Sequence, residues 1–151
     1  MSYSAFFHGP AGLAGSGHAL VKPDGVRRGL SGTVHSRLLD DGLEVQRVGT
    51  LWLTTDIAAR WYPDKLDEAD GPLTLEYLVS GPMLLLAVLG EDALRRTGAV
   101  KRAIRAEFAT DERHNVMHCP ETVGERDHER AVFVTALRRR TGWTPWKAST
   151  P

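Results

Sequence analysis

The sequence predicts an α+β domain with a ferredoxin-like βαββαβ plan, an antiparallel sheet with helices on one face. Segments of strand and helix period follow one another as strand, helix, strand, helix pair, strand, helices, strand, helix. The 151 residues fit one domain with its own core. The apolar run Met83–Leu89 has the length of a strand that is buried on both faces.

Composition narrows the functional classes. Hydrophobic residues make up 42% and charged residues 25% of the chain, as in ordinary globular proteins. Cations and anions balance at 19 each, which argues against a main role in coating nucleic acid or membranes. The single cysteine, Cys119, excludes an internal disulfide framework and fits a reducing compartment. There is no signal-peptide pattern and no apolar run of about 18 residues, so we expect a cytoplasmic protein.

Three regions are predicted along the chain. Residues 1–16 are rich in Gly, Ala and Ser without a period, which predicts a flexible N-terminal extension. Residues 17–140 carry the periodic segments of the folded domain. Residues 141–151 form an irregular tail that holds two of the four tryptophans.

Local signals place the helices and strands. Ser31 is predicted to cap a helix whose apolar face carries Val34, Leu38 and Leu39, with Gly42 ending it. Thr122 and Glu125 are predicted to form a capping box for the last helix, from 123 to about 139. Thr54, Thr55 or Asp56 is predicted to cap a helix that runs towards Tyr62. The other predicted elements are a strand over 18–21, a bulged strand over 43–53, a loop over 63–70, helices over 73–79, 91–97 and 100–108, and a strand over 116–117.

The segment Asn115-Val116-Met117-His118 carries the most informative side chain. A strand end places His118 at the rim of the sheet, and the following helix brings Glu129 back towards it. A carboxylate on one imidazole nitrogen fixes the tautomer and leaves the lone pair of the other nitrogen free to attack. The alternative is a partly buried histidine that only caps the strand.

Cationic side chains lie at two places that suit phosphate binding. Lys22 follows the first strand, and an ammonium group there can hold phosphate oxygens. Lys101, Arg102 and Arg105 lie close together on a predicted helix and could clamp a polyphosphate. Each of these residues could equally be a solvated surface cation.

Taken together, these segments resemble the nucleoside diphosphate kinase family. The stretch ALVKPDGVRRGL over 19–30 is similar to the signature that opens that fold. SGP at 80–82, RTG at 96–98, IRAEF at 104–108 and NVMH at 115–118 are similar to further family motifs in the same order. The likeness extends over roughly residues 17–135.

The resemblance implies a ping-pong phosphotransferase that moves the γ-phosphoryl group of a nucleoside triphosphate to a diphosphate. His118 would be the phosphorylated nucleophile and Glu129 the partner that orients it. Mg²⁺ would be held mainly by the nucleotide phosphates. Phosphoryl transfer mainly requires alignment and positive charge, which agrees with this set of residues. The positions that match the family's sugar and phosphate contacts are Lys22, Tyr62, Arg105 and Asn115.

The chain departs from the family pattern in its phosphate-binding segment. Ala99 stands where the family has an arginine, and the loop that follows is roughly eleven residues shorter. We expect Lys101 or Arg102 to substitute for the lost arginine. Because the family uses that loop between subunits, we expect a homo-oligomer that is a dimer rather than a hexamer.

Two further departures affect the nucleophile and the base. Cys119-Pro120-Glu121 replaces the Gly-Ser-Asp that follows the histidine, which removes a serine that helps to orient the histidine–glutamate pair. Cys119 is either a redox handle or, more simply, a packed side chain. Leu73 takes the place of the aromatic residue that stacks on the base, which predicts altered base recognition.

Three functional readings remain open from the sequence. The first is a phosphotransferase that acts through phosphohistidine, with altered substrate preference. The second is a non-catalytic nucleotide-binding or scaffold protein on the same fold. The third is a specialised kinase for an unusual phosphorylated acceptor in a biosynthetic pathway.

Overall fold

A four-stranded antiparallel sheet forms the centre of the molecule. In a computed structural model, which describes residues 15–141 and the side chains up to 137, the strand order is β2-β3-β1-β4. This order confirms the predicted ferredoxin-like plan. The strands are β1 (Ser16–Val21), β2 (Glu44–Leu51), β3 (Met83–Leu89) and β4 (Met117–His118).

The helices of the described residues are α1 (Pro23–Arg27), α2 (Ser31–Asp40), α3 (Thr55–Trp61), α4 (Gly71–Leu78), α5 (Ala93–Phe108) and α6 (Val123–Thr141). They cover both faces of the sheet, whereas the sequence predicted helices on one face. Because side chains alternate along a strand, Ala19 and Val21 of β1 face one side and Leu20 faces the other. The two helices that connect strands across the sheet, α2 and α5, lie on the Ala19 side, as the plan predicts. The second face is covered as well because α3 and α4, inserted between β2 and β3, and the final helix α6 pack on the Leu20 side.

Several local predictions are confirmed. The register of β2 against β3 shifts between Arg47 and Gly49, which is the predicted bulge. Thr54 caps α3 by accepting a hydrogen bond from the Ile57 N–H at 3.4 Å. Gly42 follows α2 with a φ of 87°, the left-handed conformation that ends many helices.

The cap of α6 and the start of α2 differ in detail from the predictions. Thr122 accepts from the Glu125 N–H at 3.1 Å, but Glu125 in turn accepts from the N–H of Glu121 instead of that of Thr122. Ser31 is the first residue inside α2 and makes no capping bond. Leu39 is 49% exposed, because only Val34 and Leu38 of that helix face the core.

Two other predictions are wrong. The segment predicted as a loop after Pro63 contains a 3₁₀ helix, Pro63–Asp67. The two short helices predicted around Gly98 are one continuous helix, α5. Gly98 does not break α5, and it lets the segment after His118 approach, because an added Cβ would lie 2.5 Å from the Glu121 carboxylate.

No helix within residues 15–141 is long and apolar enough to cross a membrane. The first element of the described residues is β1, which begins at Ser16. The predicted extension over 1–16 and the predicted tail over 141–151 lie almost entirely outside the described residues.

Candidate active site

A turn with an unusual backbone conformation directly precedes β4. Val116 has a φ of 76°, which is unusual for a β-branched residue, and the Met117 N–H donates to the Asn115 carbonyl across it. The Lys22 N–H donates to the Val116 carbonyl at 2.7 Å, and Asp24 accepts from the Val116 N–H at 3.2 Å. Lys22 and Asp24, which follow β1, therefore hold the backbone segment that positions Asn115 and His118.

A buried carboxylate orients His118. The Nε2 atom of His118 lies 2.8 Å from Oε2 of Glu129, and the Glu129 side chain is only 5% exposed. A carboxylate only accepts, so His118 carries its proton on Nε2 and its Nδ1 keeps a lone pair. Within residues 15–141, Nδ1 makes no hydrogen bond. The His118 side chain is 15% exposed, so the structure brings the predicted pair together with one nitrogen left for chemistry.

Aromatic rings support the imidazole. The rings of Trp61 and His118 meet edge to face, with centroids 5.1 Å apart and planes at 75°. Trp61 is buried and stacks on Tyr62, whose ring centroid lies 6.4 Å from that of His118. The end of α3 thus brings both rings against the nucleophile, although sequence reasoning singled out only Tyr62.

A second histidine, which no sequence pattern indicates as a site residue, shares the same carboxylate. Nε2 of His18 lies 2.8 Å from Oε1 of Glu129. Burial would raise the pKa of Glu129, but hydrogen bonds from His118 and His18 outweigh it and lower that pKa to about 2. Burial lowers the pKa of His18, so its imidazole is held neutral. Glu129 is therefore an anion between two imidazole donors.

An open cleft of about 600 Å³ adjoins the pair. His118 is not among its lining residues, but Tyr62 and Arg105 are, and Arg105 Nε donates to the Met117 carbonyl at 3.1 Å. The lining combines four cations with three carboxylates and with polar and apolar walls. These residues are Lys22, Tyr62, Lys65, Asp70, Thr74, Tyr77, Leu78, Arg105, Asp111, Glu112, Arg113 and Asn115.

Lys22 is fixed at the floor of this cleft. Its ammonium group donates to the Asn115 side-chain oxygen at 2.7 Å and to the Arg113 carbonyl at 2.9 Å. The side chain is buried, and burial, followed by the nearby charge of Arg105, lowers the pKa of Lys22 to about 8. An ammonium group whose pKa burial has lowered gains from an anionic ligand, which supports the predicted role of Lys22 and Asn115.

Two arginines reach the cleft. Arg105 uses only Nε for its bond to the Met117 carbonyl, and its terminal nitrogens have no protein partner within the described chain. Arg113, to which sequence reasoning gave no role, donates to Thr74 at 3.2 Å and to Asp70 at 3.4 Å. It directly follows the acidic residues Asp111 and Glu112 and therefore belongs to no basic cluster in the sequence.

The predicted substitute cations lie elsewhere. Lys101 is buried on α5 and lies 3.3 Å from a Glu121 oxygen, and Arg102 pairs with the same carboxylate. Neither lines the cleft, because Glu121 draws both towards the segment after His118. Leu73 is 58% exposed beside the cleft residue Thr74 and does not line the cleft itself.

Cys119 is a packed side chain. It is 1% exposed, and burial raises its pKa to about 12, so its thiol stays protonated. The alternative of a redox handle has no support in this environment.

Comparison with known proteins gives a consistent family. A family model described as nucleoside diphosphate kinase matches residues 16–138. The chain is 32% identical to a nucleoside diphosphate kinase of Archaeoglobus fulgidus, with 76% of this chain and 82% of that protein covered. It is 35% identical to one of Pasteurella multocida, with 76% and 90% covered.

Solved structures agree at the level of the fold. A nucleoside diphosphate kinase of Aquifex aeolicus superposes with a TM-score of 0.69 at 22% identity, covering 79% of this chain and 94% of that chain. The enzyme of Encephalitozoon cuniculi gives a TM-score of 0.71 at 17% identity, covering 80% and 88%.

A buried carboxylate behind an accessible histidine, next to a cationic cleft on this sheet, is an arrangement suited to phosphoryl transfer, and the chain is a phosphotransferase. It belongs to the nucleoside diphosphate kinase family.

Proposed function

We propose that this chain moves the γ-phosphoryl group of a nucleoside triphosphate to a diphosphate acceptor through a phosphohistidine at His118. The single observation that carries the proposal is the bond between His118 Nε2 and Glu129, which leaves the Nδ1 lone pair unengaged. In the first step Nδ1 forms a bond to the γ-phosphorus while the bond from phosphorus to the bridging oxygen breaks, and the diphosphate leaves. The second step reverses these events with a new diphosphate.

Glu129 has an electrostatic task in this scheme. Because Nε2 keeps its proton, attack by Nδ1 creates a positive charge on the imidazole ring. The adjacent Glu129 carboxylate, ionised by its lowered pKa, offsets that charge as the phosphorus–nitrogen bond forms. Since the carboxylate is in place before the reaction, the transition state is stabilised without reorganisation.

The cleft would hold the phosphates and the sugar. We propose that Lys22 and Asn115 bind the sugar and phosphates, and that Arg105 and Tyr62 contact phosphate oxygens. Arg113 is our candidate for the missing family arginine, because it lines the cleft whereas Lys101 and Arg102 pair with Glu121. Its bonds to Asp70 and Thr74 are long enough to yield to a charged phosphate.

Mg²⁺ fits this cleft only as a partner of the nucleotide. The carboxylates available in the lining are those of Asp70, Asp111 and Glu112, and the first two already pair with Arg113 and His114. No cluster of three or more metal-binding side chains occurs in the described part of the chain. An ion that keeps most of its ligands on phosphate oxygens suits such a site, where it would neutralise developing charge.

Base recognition is expected to differ from that of the relatives. Leu73 offers an apolar surface, 58% exposed, without a ring to stack on a base. This feature favours either a broad nucleotide preference or a specialised phosphorylated acceptor. A panel of nucleoside diphosphates and other phosphorylated acceptors would decide between the two, and a clear best acceptor outside the ordinary nucleotides would support specialisation.

The phosphohistidine step can be tested by labelling. Wild-type protein incubated with Mg²⁺ and ATP carrying ³²P in the γ-position is expected to gain an acid-labile, alkali-stable label. His118→Asn is expected to abolish the label. His35→Asn, which alters a half-buried histidine of α2, is the matched control and is expected to label like wild type.

Absence of the label from wild-type protein would contradict the proposal and favour the second candidate, a nucleotide-binding or scaffold protein. That candidate draws on one observation. Glu121, directly after the buried Pro120, pairs with Lys101 and Arg102 and occupies cations that could otherwise serve a phosphate.

A further inference from the structure

We propose that His18 is a positioning residue for the phosphotransfer reaction, because it holds the Glu129 carboxylate in the orientation that His118 requires. The inference rests on the proposed function, in which His118 is the nucleophile. It assigns a role to a side chain that is not among the residues lining the cleft and that bonds Glu129, the partner of the nucleophile.

The geometry is a symmetric bridge. Oε1 of Glu129 receives Nε2 of His18 and Oε2 receives Nε2 of His118, both at 2.8 Å. The side-chain exposures are 0% for His18 and 5% for Glu129, so water does not compete for the first bond. Within residues 15–141, no other side chain donates to this carboxylate. Each oxygen of the Glu129 carboxylate thus accepts a hydrogen bond from a different imidazole.

The positions of the protons determine which partner donates in each hydrogen bond of the bridge. A neutral imidazole carries one N–H, and a carboxylate can only accept, so the proton of His18 must lie on Nε2. Both histidines therefore donate to the Glu129 carboxylate, and the carboxylate cannot donate to either of them. The His18 bond stops the carboxylate from turning about its terminal bond, a motion that would shift the acceptor away from His118.

His18 belongs to an inner strand of the sheet. It lies on β1, which has β3 on one side and β4 on the other, and it pairs with Ala87 of β3. Its ring meets Phe133 edge to face at 5.5 Å, one helical turn beyond Glu129 on α6. Glu129 itself has a long side chain on a helix, so the second hydrogen bond ties it to the sheet that also carries His118.

The neighbouring segment offers no alternative anchor. Cys119 and Pro120 follow His118 and are buried, but proline lacks an N–H and the Cys119 thiol makes no hydrogen bond within the described residues. The anchoring donor comes instead from the middle of β1. The register places Leu20 opposite His118, and strand alternation brings His18 to the same face of the sheet two residues away.

A purely structural role is the alternative, in which His18 only satisfies a buried carboxylate. The two roles differ in what a substitution changes. A structural residue alters the free energy of unfolding, whereas a positioning residue alters kcat and the hydrogen-bonded proton of His118 with KM nearly unchanged.

The test compares His18→Phe with His18→Gln. Phenylalanine suits the apolar surface around Phe133 but cannot donate, whereas glutamine retains a donor of similar reach. We expect kcat to fall about 10- to 100-fold in His18→Phe, the range usual when a reactive imidazole loses such support, and to recover largely in His18→Gln. His35→Phe is the matched control and should keep wild-type kcat. Wild-type kcat in His18→Phe would overturn the inference.

A second readout does not depend on turnover. In ¹⁵N-histidine spectra of the wild-type protein, we expect His18 to be the Nε2–H tautomer, and an Nδ1–H tautomer would overturn the inference even if His18→Phe failed to fold. In His18→Phe, the downfield Nε2–H signal of His118 should weaken or shift, and an unchanged signal would also overturn it. If wild-type protein took no label, the proposed function would fail, while these spectra would still show whether His18 orients Glu129 towards His118.

Discussion

The burial of Lys22 gives the cleft a pH dependence that can be measured. The pKa of Lys22 is lowered to about 8, so its ammonium group loses the proton as pH rises through that value. A bound phosphate favours the charged form, and binding must then restore the proton at high pH. Affinity for a nucleoside diphosphate should therefore be full below about pH 8 and decline above it.

We expect the dissociation constant of Mg²⁺ with a nucleoside diphosphate to rise by up to roughly tenfold per pH unit above about pH 8. Lys22→Met should bind weakly at every pH, and the wild-type constant should approach that of the variant near pH 10. Calorimetric titration of both proteins between pH 7 and 10 measures this. Parallel curves for the two proteins would contradict the assignment of Lys22.

At the scale of elements, the turn before β4 depends on a glycine in α1. A Cβ added to Gly25 would lie 2.8 Å from the Val116 carbonyl and 2.9 Å from a methyl group of Val21. Both neighbours belong to structure that holds His118, so they cannot move away without disturbing it. The strained φ of Val116 is therefore maintained by a close approach that only glycine allows.

Gly25→Ala should lower the free energy of unfolding by about 1–3 kcal/mol, as expected for overpacking against backbone. Gly32→Ala in α2 is the matched control, because a Cβ there meets nothing within 4 Å. Removing that exposed helical glycine should be neutral or stabilise by about 0.5–1 kcal/mol. Urea denaturation of both variants measures the difference, and equal effects would contradict the account of the turn.

The elements that local patterns determine were predictable from the sequence. The apolar run of β3, the cap at Thr54 and the bulge in β2 each depend on neighbouring residues, and the structure has all three. The continuity of α5 was not predictable. Glycine is a poor helix former, so Gly98 indicated a break. Tertiary packing keeps the helix continuous, because Ala93, Val100 and Ile104 on either side of Gly98 are buried in the same core cluster.

The same distinction applies to the site. His118 and Glu129 were predictable because a strand and the helix that follows it bring them together. His18 and Glu129 are 111 residues apart, and their contact depends on sheet register and helix placement, which no local pattern encodes. Sequence patterns did not indicate Arg113, because its place in the cleft lining depends on the tertiary fold.

At the scale of the whole molecule, the shortened loop bears on assembly. α5 runs without interruption through Ala99 to Ile104, so the chain has no projecting loop at this point. We expect a dimer rather than a hexamer, and sedimentation equilibrium of the full chain measures the mass directly. A six-subunit mass would show that other surfaces replace the loop.

Through its hydrogen bond to Nε2, Glu129 determines which nitrogen of His118 is free to receive the phosphoryl group in the proposed reaction. Combined ³¹P and ¹⁵N NMR of protein treated with a slight excess of Mg²⁺ and ATP distinguishes the two phosphohistidine isomers. We expect phosphorus on Nδ1, with Nε2 still protonated and donating a hydrogen bond to Glu129. Phosphorus on Nε2 would contradict this expectation, because that nitrogen could not then donate to the carboxylate.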